Sequence, residues 1–316
     1  MSVEYRFPRT LGQEAIREKL RQALAQDRFP HALLLHGETG LGQNALLVDL
    51  AQILSCRGAE GAKPCPPQAG CENCRAFRGC SLETVHYLLP LLKKDKKEEK
   101  ETEKDEDESL ESAQIEEMAE QIRKLHENPY GFARREKAHV SVGQVRHLLS
   151  RLRYAENRRA RLVIVPYLEA LNDKAANALL KELEEPPSDV YFLIASENRA
   201  ALLPTLLSRC LHLGLAPLPA DEYLRAAESL TPGAEKPFLT RLLPFAEGSP
   251  GTYLRLCEQG GESLLEEASQ FLSAATAGDW RVFAEYTAQR PDGKDAEATL
   301  RLLDFLLRCV RLHQVL

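Results

Sequence analysis

Apolar positions recur in two distinct rhythms along the first two thirds of the chain. Ile16, Leu20 and Leu24 repeat every four residues and predict a helix over Leu11 to Phe29. Ala32-Leu33-Leu34-Leu35 is an unbroken apolar run between Pro30 and Gly37, the pattern of a strand buried on both faces. Gly37 to Gly42 predicts a turn, and Asn44 to Leu54 a second helix. The sequence stays helical from Ile115 to Leu125 and breaks at Asn128-Pro129. Ser141 is placed to cap a helix carrying Val142, Val145, Leu148, Leu149 and Leu152. Arg161 to Val165 and Val190 to Ala195 predict strands. Between them Asp173 is expected to cap a helix over Ala175 to Glu184, ended by Pro186-Pro187. Strands alternating with helices predict an α/β fold, a parallel sheet with helices on both faces.

That alternation ends near Leu215, and Ala216-Pro217-Leu218-Pro219-Ala220 reads as a linker. Beyond it the chain reads as helical, broken at Pro232-Gly233, Gly248 to Gly251, Gly260-Gly261 and Pro291-Asp292-Gly293. The expected organisation is an α/β domain over 1–215, a small helical domain over 216–257 and a final helical domain over 258–316. Lys93 to Glu108 holds six lysines and nine acids in sixteen residues. It cannot bury apolar surface, so Lys93 to Glu108 is expected to be solvated or disordered, or else a continuous exposed helix, within a charged insertion at about 91–127.

Composition narrows the class. A chain of 316 residues, 44% hydrophobic, buries about three quarters of its unfolded surface and suits two or three domains. No apolar run reaches the roughly 18 residues that span a bilayer, and Met1 to Pro8 lacks the core of a secretory signal. A cytoplasmic location without a membrane partner is expected. The net charge of −6 gives no global sign of nucleic-acid affinity. A local basic stretch (Arg146, Arg151, Arg153, Arg158, Arg159 and Arg161) reads either as a DNA-phosphate contact or as a solvated face. His31 and His36 flank the first strand and read as core or near-core residues.

Eight cysteines are too few to staple a chain of this length. Cys210, Cys257 and Cys309 are scattered and read as small buried hydrophobes. Five others crowd between Cys56 and Cys80, and Cys71-Glu72-Asn73-Cys74 has the spacing of half a zinc knuckle.

Gly37-Glu38-Thr39-Gly40-Leu41-Gly42-Gln43-Asn44 lies between a predicted strand and a predicted helix, the context of a phosphate-binding loop. In such a loop backbone N–H groups and a helix N-terminus face the phosphates, a lysine adds charge, and a hydroxyl binds magnesium. Here Gln43 stands at the lysine position and Asn44 at the hydroxyl position. The cradle of Gly37, Gly40 and Gly42 is kept while the cation and the metal ligand are lost. After the strand Leu162 to Val165, where metal-binding and water-activating acids are expected, stand Pro166 and Tyr167. Glu169 comes too late for either role and reads as a surface acid. Both losses predict a nucleotide fold without hydrolytic chemistry.

Asn177-Ala178-Leu179-Leu180-Lys181-Glu182-Leu183-Glu184-Glu185-Pro186-Pro187 resembles the signature helix of bacterial clamp-loader AAA+ subunits. Leu203-Pro204-Thr205-Leu206-Leu207-Ser208-Arg209-Cys210 resembles their Ser-Arg-Cys motif, and Leu11-Gly12-Gln13 and Pro30-His31-Ala32-Leu33-Leu34 match the family opening. The resemblance covers 9–56 and 140–215 strongly. It implies an AAA+ domain, a helical lid and a helical collar, in a five-subunit ring that opens a sliding clamp and places it on primed DNA. It implies gamma/tau and delta subunits as partners. Within the family the lost lysine and acids resemble the non-hydrolysing branch; an ATP-hydrolysing gamma/tau-like subunit with an unusual loop is the alternative. A third reading is a zinc-dependent nucleic-acid-binding module without ring assembly.

The resemblance also assigns roles. Arg209 would reach across an interface to ATP bound by the neighbouring subunit. Ser196-Glu197-Asn198 stands where such proteins sense the gamma phosphate, and Tyr253 or Arg255 stands near the second sensor. The family carries a four-cysteine structural zinc module at this place, which implies Cys56, Cys65, Cys71 and Cys74 as ligands, with Cys80 the alternative to Cys65.

Overall fold

The computed structural model describes residues 3–58, 62–66, 70–92, 112–135, 137–153, 160–187, 189–233 and 240–277, with 281, 306 and 308. The chain divides into two compact units, Met1–Ala216 and Pro217–Leu316.

The first unit is built on strands β2 (Ala32–His36), β4 (Val85–Tyr87), β5 (Arg161–Val165), β6 (Val190–Ser196) and β7 (Leu211–Gly214), all parallel, in the order β4-β5-β6-β2-β7. Side chains alternate across this sheet, and both faces are covered. Leu34, Val163, Phe192 and Ile194 pack under helices α5 (Val142–Arg153), α6 (Asp173–Glu184) and the short α7 (Pro204–Leu207). Leu33, Leu35, Ile164 and Leu193 face α1 (Glu14–Ala25), α2 (Gln43–Ser55), α3 (Glu72–Arg78) and α4 (Ser112–Glu127). The apolar runs of β2, β5 and β6 are continuous because these central strands are buried on both sides. Strand β1 (Glu4–Tyr5) pairs in parallel with β3 (Ala62–Lys63) in a separate two-stranded sheet.

Several expectations are corrected. Helix α1 holds the whole Ile16, Leu20, Leu24 repeat but is shorter than the expected span Leu11 to Phe29, because Gln13 at its start and Asp27 just past its end adopt positive φ. Asn172, not Asp173, caps α6; its side chain accepts the Ala175 N–H at 2.8 Å, and Asp173 is the first helical residue. Within the expected insertion, residues 112–127 form helix α4, which packs on the domain with Leu125 fully buried and the Gln121 amide donating to the Pro90 carbonyl. His31 is exposed, not core, while His36 is half-buried. Ser141 and Gln144 form a reciprocal capping box on α5, at 3.2 and 2.8 Å. Lys93 to Glu108, Arg158, Arg159, the Arg153 side chain, Pro291 to Gly293 and Cys309 lie outside the described residues.

In the second unit α8 (Ala220–Leu230) is followed by helices Pro250–Glu258 and Gly261–Ala277. Tyr253 is fully buried edge-on to Tyr223, 6.2 Å between ring centroids, so it is a core residue and not a free sensor. Arg255 donates to the Thr252 hydroxyl. Among the described residues no helix is long and apolar enough to cross a membrane.

Candidate functional site

Ligands of open parallel sheets bind beyond the carboxyl ends of the strands, where the chain reverses its direction of travel across the sheet. Here that place is the loop after β2, which lies between β6 and β7. Gly37 to Gly42 runs from β2 into α2, and the first helical hydrogen bonds start at Gly42. Gly42 has φ 105°, and a Cβ there would stand 2.9 Å from the Tyr130 hydroxyl. That hydroxyl in turn accepts the Leu11 N–H at 2.8 Å. Tyr130 therefore closes over the last glycine of the loop, a contact that no sequence pattern announced.

Gln43 is buried and turned back on the loop. Its amide donates to the Gly37 and Glu38 carbonyls, at 2.9 and 2.8 Å. Asn44 donates to the Tyr167 hydroxyl at 3.4 Å, and its own carbonyl oxygen is buried without a partner. Tyr167 is fully buried, stacks on Phe132 and donates to the Phe132 carbonyl at 2.7 Å. The loop thus holds a neutral amide bonded to its own carbonyls, and a buried phenol ring follows β5.

Glu169 is not a surface acid. One oxygen accepts the Glu197 N–H at 3.1 Å, and the other is buried without a partner. Glu197 in turn accepts from the Thr39 hydroxyl at 3.0 Å, which ties the glycine loop to the end of β6. The Asn198 N–H donates to the Ser196 hydroxyl, making the segment a local turn.

Behind the loop Asp49 on α2 is fully buried. It accepts from the Arg9 and Thr10 N–H groups and the Thr10 hydroxyl, and pairs with the Arg9 guanidinium at 3.3 Å. Burial pushes its carboxyl up, against the Thr10 hydrogen bond and the Arg9 charge. This carboxylate fixes the segment that enters α1 beside the loop.

Arg209 follows α7. Its Nη1 donates to the Thr205 carbonyl at 2.8 Å and to the Ser208 hydroxyl at 3.1 Å, and its Nη2 pairs with Glu184 at the end of α6. Cys210 turns inward to the core, where burial pushes its thiol up to about 11.

The structure brings Cys56, Cys65, Cys71 and Cys74 together, with all four Sγ atoms within 4.8 Å of one another. Cys80, exposed and at positive φ, stays outside that group. Four thiolates at about 2.3 Å from one ion stand about 3.8 Å apart, so the set fits a tetrahedral metal. Gly58 is required here, since a Cβ would meet the Cys65 sulfur at 2.7 Å. Burial raises the Cys56 and Cys74 thiols. Cys71 is also pushed up by burial, but backbone hydrogen bonds from Cys74 and Arg57 bring it down to about 6. The Asn73 amide donates to the Ser55 carbonyl, anchoring the module to the end of α2.

The fold is an open parallel α/β sheet with a glycine-rich loop after β2 and a four-cysteine cluster set into the domain. A family model described as DNA polymerase III, delta subunit, matches residues 12–219, and the chain belongs to that family. It is 32% identical over 190 residues to DNA polymerase III subunit delta′ of Yersinia pestis, covering 60% of this chain and 42% of the relative. It is 28% identical over 264 residues to the delta′ subunit of Escherichia coli K12, covering 83% and 65%. It is 29% identical over 258 residues to the tau subunit of that organism, covering 80% and 32%. The chain thus spans less than two thirds of the length of these relatives. A gamma subunit-related protein of Thermotoga maritima superposes with a TM-score of 0.42 at 16% identity, over 92% of this chain and 82% of the other.

Proposed function

We propose that the chain is a non-hydrolysing subunit of a DNA polymerase III clamp loader that offers Arg209 in trans to ATP held by a neighbouring subunit. The observation that carries this is the pairing of Gln43 with the Gly37 and Glu38 carbonyls and of Asn44 with Tyr167. Phosphoryl transfer needs fixed positive charge where the transition state gathers negative charge. Two neutral amides and a buried phenol do not supply it. Relatives of both the delta′ and tau kinds match the chain, so the reading rests on these side chains and not on overall likeness.

In this reading the partners are gamma/tau and delta subunits, with the sliding clamp and primed DNA engaged by the assembled ring in the cytoplasm. Cys56, Cys65, Cys71 and Cys74 hold a structural zinc. A closed four-thiolate site leaves no position for substrate, and zinc there supplies folding energy to a loop with little core of its own. The second unit acts as lid and collar.

The test is co-purification with gamma/tau and delta subunits, followed by ATPase assay with clamp and primed DNA. The expected result is a stable complex whose turnover needs the partners, and no turnover by the chain alone. Hydrolysis by the isolated chain at a gamma/tau-like rate, lost on altering Gln43 or Asn44, would replace this reading with the ATP-hydrolysing alternative.

A further inference from the structure

We propose that Glu184 is an internal stand-in for phosphate: it occupies the Arg209 guanidinium until an anion from a neighbouring subunit takes its place. The inference rests on the trans role of Arg209 argued above and names what regulates that residue.

A guanidinium carries five N–H groups in a fixed fork. Both N–H groups of Nη1 have acceptors, the Thr205 carbonyl and the Ser208 hydroxyl. One N–H of Nη2 is directed to the Glu184 carboxylate. The Nε group is buried and meets no acceptor. One N–H, on Nη2, is left for anything outside the chain. A phosphate gripped by an arginine fork takes two parallel N–H groups. Two are available only if Glu184 lets go, because the Nη1 bonds fold the guanidinium onto its own helix and Nε is closed to solvent.

The place of Glu184 suits that exchange. It is the last residue of α6, where the helix dipole adds negative potential for a cation. Its side chain is 48% exposed and that of Arg209 30%, so one anion replaces another without repacking the core. A carboxylate and a phosphate oxygen compete for the same donor with the same charge-assisted chemistry. The neighbour's nucleotide then has to outbid an acid of this chain before the arginine serves it.

Glu184→Gln keeps the size of the side chain and removes the competing charge. In the assembled complex it is expected to lower the half-saturating ATP concentration about two- to fivefold, the range of a partly exposed ion pair, with kcat at saturating ATP unchanged. The difference should shrink as salt is raised. In an Arg209→Ala background the same change should move nothing. Half-saturation unmoved by Glu184→Gln, or moved equally in the Arg209→Ala background, overturns the proposal. The two layers separate cleanly: if Arg209→Ala lowers the ATPase while Glu184→Gln shifts nothing, only the role of Glu184 falls. If Arg209→Ala itself leaves the ATPase unchanged, the trans arginine falls and this inference with it.

Discussion

Asn44 Nδ2 lies 3.4 Å from Tyr167 Oη, so the residue expected at the magnesium-binding hydroxyl position and the residue expected at the water-activating acid position are bonded to each other. The two substitutions are complementary, and each occupies a polar atom of the other. Gln43→Lys with Asn44→Thr is therefore expected to leave the isolated chain without ATP turnover, because the buried Tyr167 ring still fills the place of the acid. Phosphate release measured with magnesium and ATP checks this; turnover well above background would show that the loop alone was limiting.

Tyr167→Phe removes the donor to the Phe132 carbonyl and strips Asn44 of its acceptor. Leaving buried polar groups unmatched costs roughly 1–3 kcal/mol. Urea unfolding of the variant should show a lower midpoint at unchanged slope, with complex assembly retained.

Arg209→Ala is expected to silence the one site it faces. An arginine supplied in trans is worth about 10³–10⁵ in rate at such a site. On the proposed reading the stimulated rate of the whole complex should therefore fall. Stimulated ATPase of the reconstituted complex reads the loss. The Thr205, Ser208 and Glu184 contacts of Arg209 are partly exposed, so stability of the free chain should change by less than about 1 kcal/mol.

Metal content tests the cysteine module. Freshly purified protein is expected to carry zinc, and Cys71→Ser with Cys74→Ser to lose it. The five-stranded sheet should stay folded, because its two cores include neither residue. Elemental analysis and far-UV circular dichroism check the two halves of this expectation.

His126 gives a pH dependence of defined sign. Its ring packs on Phe77, its Nε2 meets the Tyr87 hydroxyl at 2.6 Å, and its Nδ1 is buried without a partner. Burial, helped by the Arg9 charge, lowers it to about 4. The unfolded chain takes up the proton first, near pH 6.5. Stability from this group is whole above that pH and is lost as pH falls towards 4, by roughly 3 kcal/mol in total. His126→Gln should flatten that part of the unfolding profile, measured by denaturant titration between pH 7 and 4.

The sequence made the central strands legible because a doubly covered strand cannot afford polar positions. Ala32 to Leu35, Leu162 to Val165 and Val190 to Ala195 could hardly read as anything else. The edge strands β4 and β7 escaped notice, since Val85-His86-Tyr87 and Leu211-His212-Leu213-Gly214 mix polar rings with apolar residues and have a neighbour on one side only. Spacing exposed Cys71 and Cys74. It could not rank Cys65 against Cys80, which is a question of where a loop turns. The loss of loop chemistry at Gln43 and Asn44 was readable from residue type, but Tyr130 arrives from 88 residues beyond Gly42 and carries no local mark. Asp49 was hidden in the same way: an acid inside an apolar helix signals a buried partner without naming Arg9 or Thr10.

The pairing of Glu4 and Tyr5 with Ala62 and Lys63 gives the cysteine module a reach beyond its own loop. The opening residues are templated at one point by β3 and at the next by Asp49. Stripping the thiolate cluster of an ion would unseat the first of these tethers and leave the second holding, so damage to the module would travel toward the wall of the glycine loop and stop at Thr10.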